Sequence, residues 1–255
     1  MRIALKIAYD GRKYHGFSRQ PNMETVEGKI LGFLTNKKII KNPRDAKYQI
    51  ASRTDKGVSA ISNVIVFNTD VDIADLISKF NRSLKKDSIY AYEAAETKED
   101  FNPRYAKMRQ YRYYIKLTPD LDLEYMMKAA SMFTGLHDFS NFARIEKGKN
   151  PIREIKNMVF VFKKNEILAI DFFAQTFLWQ QVRRIISALL KIARNKISIE
   201  TLANAISNPK IRFDFGVAPP KYLLLKDVIY DEIKFQKYGE KKFLEDLEDS
   251  IVNSL

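Results

Sequence analysis

The chain has 255 residues, of which 45% are hydrophobic and 29% charged, a composition typical of a globular protein with a sizeable core. Its formal net charge is +13, and it contains no cysteine and only two histidines, His15 and His137. This composition excludes disulfides, zinc ribbons, iron–sulfur clusters, thiol nucleophiles and multi-histidine metal sites. Any chemistry must therefore come from carboxylates, hydroxyls, amines or tyrosines.

No apolar run approaches the roughly 20 residues that cross a bilayer. The first residues alternate between apolar and polar side chains and lack the unbroken apolar core of a secretory signal. An anionic membrane surface is disfavoured as a partner, because no predicted helix combines a basic face with exposed Trp or Phe. We therefore expect a cytoplasmic protein that does not bind a membrane.

The basic charge gathers in three stretches, residues 1–60, 101–160 and 161–200, whereas residues 61–100 and 201–255 carry a small net negative charge. Such stretches favour a polyanionic partner such as nucleic acid. Charge alone leaves open the alternative of a generally basic protein without such a partner.

In the first part of the chain, Ile3, Leu5, Ile7 and Tyr9 alternate with polar residues and predict a strand. Helical spacing of apolar residues predicts amphipathic helices at residues 26–34 and 73–84. Short apolar runs predict strands at residues 48–51, 63–68 and 88–94.

The second part of the chain has a pattern of strands and helices similar to that of the first part. The pattern predicts strands at residues 109–116, 155–163, 167–173 and 222–229, helices at 123–133 and 178–192, a helix capped by Ser198, and an acidic helix at the end. Adjacent strand pairs mixed with helices indicate an α+β fold with a largely antiparallel sheet. We place a boundary near residue 105, between an N-terminal half (1–105) and a C-terminal half (106–255).

Residues 51–60 form a small polar loop between two predicted strands, and this loop holds Asp55 beside Arg53 and Gly57. A loop between rigid strands is suited to present a reactive carboxylate. The alternative is an ordinary Asp-x-Gly turn in which Asp55 bonds to its own backbone.

Aromatic and basic residues alternate on the strand predicted at residues 109–116. The period of two places Arg109, Tyr111 and Tyr113 on one face and Arg112 on the other. A tyrosine flanked by arginines suits stacking on a nucleobase while phosphates are held nearby. The alternative is a half-buried strand whose tyrosines pack in the core.

Residues 179–184 place two arginines beside the apolar seam of the long helix. Arg183 follows Val182, so it is expected to be partly buried, and a buried arginine requires a carboxylate or a similar partner. The alternative is a surface arginine whose aliphatic stem lies over the core.

A His–Asp–Ser triad within residues 137–140 is rejected, because triad members converge from separate segments of a chain. The sequence has no G-x-G-x-x-G, Walker A or H-E-x-x-H motif.

In chain order, these segments resemble the TruA family of tRNA pseudouridine synthases over roughly residues 1–230. The segment at residues 9–20 is similar to the family's opening motif, through Tyr9-Asp10-Gly11, Tyr14, Gly16-Phe17 and Arg19-Gln20. The segment at residues 52–60, Ser-Arg-Thr-Asp-Lys-Gly-Val-Ser-Ala, is similar to its catalytic motif. Residues 101–104, 111–113, 135–139, 177–183 and 223–230 then follow in the family's order.

The sequence departs from the family pattern at a few positions. Ser52 stands where many members have glycine, Phe17 where many have tryptophan, and Lys221-Tyr222 replaces a usual glycine. None of these changes removes a charged catalytic group, so they bear on the range of substrates.

The resemblance implies the pseudouridine synthase fold, in which two similar halves share a mostly antiparallel sheet with flanking helices and a central basic cleft. It implies conversion of uridine to pseudouridine in tRNA without metal or cofactor, at uridines of the anticodon stem-loop around tRNA positions 38 to 40. It also implies a homodimer and no DNA partner.

The resemblance assigns Asp55 as the catalytic carboxylate, Arg183 as its ion-pair partner and Tyr111 as the ring that stacks on the flipped uracil. Arg53 is expected to touch the flipped nucleotide or its phosphate. The remaining expected substrate-binding residues are basic: Lys6, Arg12, Lys13 and Arg19, which would grip the tRNA backbone, and Arg109 and Arg112 beside Tyr111.

Two rival functions belong to other classes. A non-catalytic RNA-binding protein with the same fold would need the arginines but not Asp55. A metal-dependent nuclease would need two or more convergent acidic residues, and no such cluster lies in the basic stretches.

Overall fold

The computed structural model describes residues 1–164 and 166–255 and divides the chain into two compact units. Unit 1 comprises Met1–Lys107 together with Leu224–Ser254, and unit 2 comprises Met108–Leu223. Residues 224–254, predicted to belong to the C-terminal half, fold back into unit 1. That return depends on a strand pairing between residues far apart in the chain, which local patterns do not report.

The strands follow the chain as β1 (Arg2–Tyr9), β2 (Gln49–Ile50), β3 (Ser59–Asn68), β4 (Ile89–Thr97), β5 (Met108–Lys116), β6 (Gly135–Asp138), β7 (Ile152–Lys163), β8 (Ile167–Ala174), β9 (Leu223–Ile229) and β10 (Gln236–Lys237). The helices are α1 (Val26–Asn36), α2 (Ile73–Leu84), α3 (Leu123–Ser131), α4 (Gln181–Ala193), α5 (Ile199–Ser207) and α6 (Lys242–Val252). Within the described ranges, no helix is long and apolar enough to span a bilayer.

The sheet of unit 1 has the strand order β10-β4-β1-β3-β9, with β2 paired to β3. All of these pairs are antiparallel except β3 with β9, where Ser59 lies opposite Leu224. β1 is central, and its Ile3, Leu5 and Ile7 are fully buried. Helix α2 packs on β4 and α6 on β3, so the unit is a sheet with flanking helices.

The sheet of unit 2 is antiparallel, with the strand order β5-β8-β7-β6. Helices α3 and α4 pack on each other, and α4 buries one apolar stripe that includes Val182, Ile186 and Leu189. Ser198 caps α5 by accepting a hydrogen bond from the Thr201 N–H, as its position predicted. The prediction of an α+β class with mostly antiparallel strands is confirmed.

One difference from the predicted elements is at the start of α4. The apolar spacing predicted a helix from residue 178, but Gln180 has a φ of 62° and α4 begins at Gln181. This left-handed residue interrupts the helical path, and the preceding Leu178 N–H donates instead to the Gln181 side chain at 2.8 Å. Residues 177–180 are therefore a loop, which bears on the site described below.

Candidate active site

Asp55 lies in the loop between β2 and β3 of unit 1, as the sequence predicted. The Val58 N–H donates to the Asp55 carbonyl at 3.1 Å, and Gly57 has a φ of 81°, so residues 55–58 form a tight turn. A positive φ of this kind is readily adopted by glycine. The Asp55 side chain is half-buried at the start of this turn, while the neighbouring Arg53 is exposed.

Buried polar groups of the sheet hold the loop that carries Asp55. The hydroxyl groups of Tyr9 on β1 and Thr54 lie 2.9 Å apart and share a hydrogen bond. The Asn63 side-chain amide on β3 donates to the Ser52 carbonyl at 2.8 Å and to the Tyr9 hydroxyl at 3.2 Å. Because Tyr9 and Asn63 are fully buried, these bonds tie the loop to the rigid sheet.

The opening motif packs directly against the same loop. A Cβ atom on Gly11 would lie 1.8 Å from the Val58 carbonyl oxygen, so only glycine fits there. Gly16 has a φ of 103° and faces the backbone of residues 54–56, and the Phe17 N–H donates to the Thr54 carbonyl at 3.1 Å. The two motifs that lie about 40 residues apart in sequence thus form one packed structure.

Asp10 and Arg12 form a two-bond ion pair at the edge of this structure. The guanidinium of Arg12 donates to both carboxylate oxygens of Asp10 at 2.8 Å, and also to the carbonyl and hydroxyl oxygens of Ser250 on α6. Burial alone would raise the pKa of Asp10, but the hydrogen bonds and charge of Arg12 outweigh it and lower the pKa. Arg12, expected to grip RNA, is engaged within unit 1.

Lys6 is likewise engaged within unit 1. Its ammonium group lies 3.4 Å from a carboxylate oxygen of Glu93, 3.2 Å from one of Asp227, and 5.0 Å from the centre of the Phe235 ring. These residues line a cavity of about 270 Å³, and only 15% of the Lys6 side chain is exposed. Its charge is therefore already balanced by two carboxylates.

Lys13 and Arg19, expected with Lys6 and Arg12 to grip the tRNA backbone, have exposed side chains. The Lys13 ammonium donates to the Ser88 hydroxyl at 2.7 Å, and the Arg19 backbone N–H donates to the Glu27 carboxylate. Together with Arg53, they are the most exposed of the predicted cations in unit 1.

In unit 2, Tyr111 lies on β5 opposite Phe172 of β8. Its ring meets the ring of Phe177 edge-on, with centroids 5.2 Å apart and an interplanar angle of 86°. Phe177 belongs to the loop that precedes α4. That loop therefore packs on the Tyr111 ring, a contact that the strand pattern did not reveal.

The two arginines that flank Tyr111 are held by unit 2 itself. Arg112 donates two hydrogen bonds of 2.7 Å to Asp171, its cross-strand neighbour on β8, and these bonds raise the pKa of the guanidinium. Arg109 is 6% exposed and donates to the Gln175 carbonyl. The alternation of faces on this strand was predicted correctly, but these partners were not.

Arg183 lies in the first turn of α4 and is half-buried, as expected. Its Nε donates to the Ala218 carbonyl at 2.8 Å, and the Ala218 N–H donates to the Arg183 carbonyl at 3.1 Å. Burial raises the pKa of the neighbouring Tyr113, and the positive charge of Arg183 partly opposes this. The segment around Ala218 thus orients the Arg183 side chain, a role that sequence reasoning missed.

Over residues 1–164 and 166–255, no group of three or more His, Cys, Asp or Glu side chains is placed to hold a metal ion. Sequence reasoning placed Tyr9 and Phe177 in family motifs without giving them a positioning role, and it did not single out Asn63 or Ala218. A polar residue such as Asn63 inside an otherwise apolar strand was the one signal that could have indicated a buried network.

A family model described as tRNA pseudouridine synthase matches residues 129–231. The tRNA pseudouridine synthase A of Thermococcus sibiricus is 42% identical over 237 residues, which cover 92% of this chain and 87% of that protein. Its counterpart in Methanothermobacter thermautotrophicus is 37% identical over 97% of this chain and 89% of that protein. The one in Pyrococcus abyssi is 37% identical over 98% and 93%.

Among solved structures, the archaeal box H/ACA sRNP Nop10–Cbf5 complex matches 74% of this chain and 43% of that chain, with 9% identity and a TM-score of 0.34. The sequence relatives are far closer and extend over nearly the whole chain, including the loop of Asp55, the strand of Tyr111 and the helix of Arg183. The chain therefore belongs to the TruA family of tRNA pseudouridine synthases.

Proposed function

We propose that the chain is an isomerase that converts uridine to pseudouridine in tRNA, with Asp55 as the catalytic carboxylate and no cofactor. The observation that carries this proposal is the position of Asp55 at the turn of a loop held by Tyr9, Asn63 and Gly11. Such a loop presents a half-buried carboxylate at a fixed position, in a chain whose relatives are named tRNA pseudouridine synthase A.

The reaction conserves all heavy atoms of the nucleotide. The bond between N1 and the ribose C1′ breaks, the uracil turns, a bond forms between C5 and C1′, and the C5 hydrogen leaves as a proton while N1 gains one. A single carboxylate serves here, unlike the pair used in glycoside hydrolysis.

Asp55 must stay ionised in a site closed by RNA, where an unpaired carboxylate would tend to become neutral. A close cation keeps the charged form favoured, and we assign that role to Arg183. Its support is family membership together with the hydrogen bond to Ala218, which already orients the guanidinium. This assignment stays a prediction.

We assign Tyr111 as the ring that stacks on the flipped uracil. Extruding a base from the RNA stack costs a few kcal/mol, and stacking returns roughly 1–3 kcal/mol. The edge-on packing against Phe177 restricts the Tyr111 ring, which lowers the entropy lost on stacking.

Among the predicted RNA-contacting cations, we favour the exposed Lys13, Arg19 and Arg53. Lys6, Arg12, Arg109 and Arg112 are engaged inside their own units, so a direct phosphate contact would require them to share or exchange those partners. Their contribution to RNA affinity stays a prediction, and we expect it to be smaller than that of the exposed cations.

We also propose, from the family resemblance, that the protein acts as a homodimer in the cytoplasm. Its targets would be uridines of the anticodon stem-loop around tRNA positions 38 to 40. Size-exclusion chromatography with light scattering tests the dimer, and mapping the modified positions tests the target.

The central experiment incubates the protein with an unmodified tRNA transcript in EDTA and maps pseudouridine by carbodiimide treatment and primer extension. Intact RNA that contains pseudouridine supports the proposal. RNA that is bound but unmodified would instead indicate the non-catalytic RNA-binding protein, and cleaved RNA a nuclease.

A further inference from the structure

Trp179, the single tryptophan of the chain, lies in the loop before α4 and is 41% exposed. A lone exposed aromatic residue is common and has no meaning by itself. Two features distinguish Trp179, however: a surface contact with Arg144 and its place in the chain.

The first contact is with Arg144. The guanidinium carbon of Arg144 lies 4.2 Å from the centre of the Trp179 ring, a stacked cation–π arrangement. The Arg144 backbone N–H also donates to the Trp179 carbonyl at 2.8 Å, an isolated β-bridge that joins the loop after β6 to the loop before α4. An indole and a planar cation are thus held together at the surface.

The second feature is the place of Trp179 in the chain, beside the candidate site within unit 2. Trp179 is two residues from Phe177, whose ring packs on Tyr111, and four residues before Arg183. Gln180 turns the chain with its left-handed conformation, and the hydrogen bond from Leu178 to the Gln181 side chain fixes the turn. Trp179 is therefore held in the same short segment as Arg183 and as Phe177, whose ring contacts Tyr111.

The chain that continues from Arg144 is rich in basic residues. Residues 144–156 contain Arg144, Lys147, Lys149, Arg153 and Lys156 against two acidic residues, Glu146 and Glu154. Lys147 and Lys149 are exposed. An exposed aromatic ring among cations is the combination that binds unpaired nucleotides, because the ring stacks on a base while the cations hold the phosphates.

We propose that Trp179 and Arg144 form a stacking platform for an unpaired base of the tRNA next to the target uridine. The inference rests on the proposed function for the identity of the RNA. The platform holds a flanking nucleotide, so it positions the substrate and takes no part in bond making or breaking. Any base can occupy it, since every base has a face that stacks.

The single tryptophan makes the test direct. Emission excited at a wavelength that spares tyrosine reports on Trp179 alone. We expect saturating unmodified tRNA to quench this emission, both in the wild-type protein and in Asp55→Asn, in which the RNA stays bound without turnover. Independent filter binding confirms saturation. Unquenched emission from a protein saturated with tRNA would overturn the proposal.

Variants provide a second readout. Trp179→Ala is expected to raise KM by roughly 5-fold or more with a much smaller change in kcat. Trp179→Phe should recover much of the affinity, and Arg144→Lys should lose part of it, because the ammonium keeps the charge but not the planar stack. Phe162→Ala is the matched control, since Phe162 is a 57% exposed aromatic residue of β7 outside the platform. An unchanged KM for Trp179→Ala would refute the platform.

The failure of this inference differs from the failure of the proposed function. If pseudouridine forms and Trp179→Ala behaves as wild type, only the platform is wrong. If no pseudouridine forms, the proposed function fails, and quenching by RNA still decides whether Trp179 contacts it. Trp179 emission could instead change when the protein is diluted without RNA and stay unchanged when RNA is added. That result would assign Trp179 to an interface between copies and overturn the proposal.

Discussion

Gly11 lies so close to Val58 that a Cβ atom on the glycine would stand 1.8 Å from the Val58 carbonyl oxygen. The Gly11 N–H donates to the hydroxyl of Ser59, the next residue, at 3.0 Å. The atoms that a Cβ would meet belong to the backbone, so the clash cannot be relieved by the movement of a flexible side chain. The position of the loop that carries Asp55 is therefore coupled to the turn that follows β1.

Gly11→Ala is expected to displace the loop by forcing the two backbones apart. We expect a loss of stability of about 1–3 kcal/mol, the range for overpacking, and a larger loss of kcat than of tRNA affinity. Urea unfolding and steady-state tritium release from labelled tRNA measure the two effects.

Gly32→Ala is the control for this substitution. Gly32 lies within α1, and a Cβ atom on it would meet nothing within 4 Å. The change should stabilise the protein by roughly 0.5–1 kcal/mol, because alanine loses less conformational entropy in a helix. Activity should stay at the wild-type level, and equal behaviour of the two variants would contradict the role given to Gly11.

Asp55→Asn is expected to keep the fold and the affinity for tRNA but to abolish isomerisation, because the amide cannot replace the ionised carboxylate. Tritium release and filter binding measure turnover and affinity. Asp45→Asn, at an exposed residue before β2, serves as a control for the loss of one negative charge. Turnover by Asp55→Asn at the wild-type rate would reject the mechanism.

Tyr111→Ala is expected to reduce turnover severely, because the flipped uracil loses stacking worth roughly 1–3 kcal/mol. Tyr111→Phe retains the ring and its edge-on contact with Phe177, so it should retain far more activity than the alanine variant. Single-turnover rates at saturating tRNA compare them. If the two variants are equally inactive, the hydroxyl group matters and stacking is not the main role.

Asp171→Ala is expected to destabilise the protein by about 3–5 kcal/mol, because it leaves the guanidinium of Arg112 buried without its carboxylate. Replacing both residues together, Arg112→Met with Asp171→Leu, should recover much of that loss. Urea unfolding measures both. A double variant no more stable than Asp171→Ala would show that apolar packing cannot replace the pair.

The ion pair of Asp10 with Arg12 predicts a pH dependence of stability. The pKa of Asp10 is lower in the folded protein than its ordinary value of about 3.9. Above that pH the pair therefore makes its full contribution to the free energy of unfolding. The contribution is lost as the pH falls through the folded pKa. Asp10→Asn should therefore cost roughly 2 kcal/mol at neutral pH and progressively less below about pH 4.

Urea unfolding of wild type and Asp10→Asn across this range measures the difference between them, which removes the effect of the other carboxylates. A difference that stays constant with pH would mean that Asp10 is not held in its charged form by Arg12.

Several elements could be predicted from local sequence because their signals act over a few residues. The alternation of β1, the apolar stripe of α2 and the Ser198 cap of α5 each depend on neighbours in the chain. The start of α4 could not be predicted, because the apolar spacing continues through Leu178, while Gln180 is left-handed and the neighbouring Trp179 is bridged to the distant Arg144.

The amino-acid order alone determined the α+β class, the family and the candidate residues Asp55, Tyr111 and Arg183, because short motifs and periodic patterns carry that information. Only the tertiary structure decided which cations are already engaged. Lys6 meets Asp227 across 221 positions, and Arg112 meets Asp171 across 59. Such partners are brought together by the arrangement of strands in the sheet. That arrangement depends on the packing of the whole unit, so local sequence patterns do not predict these pairs.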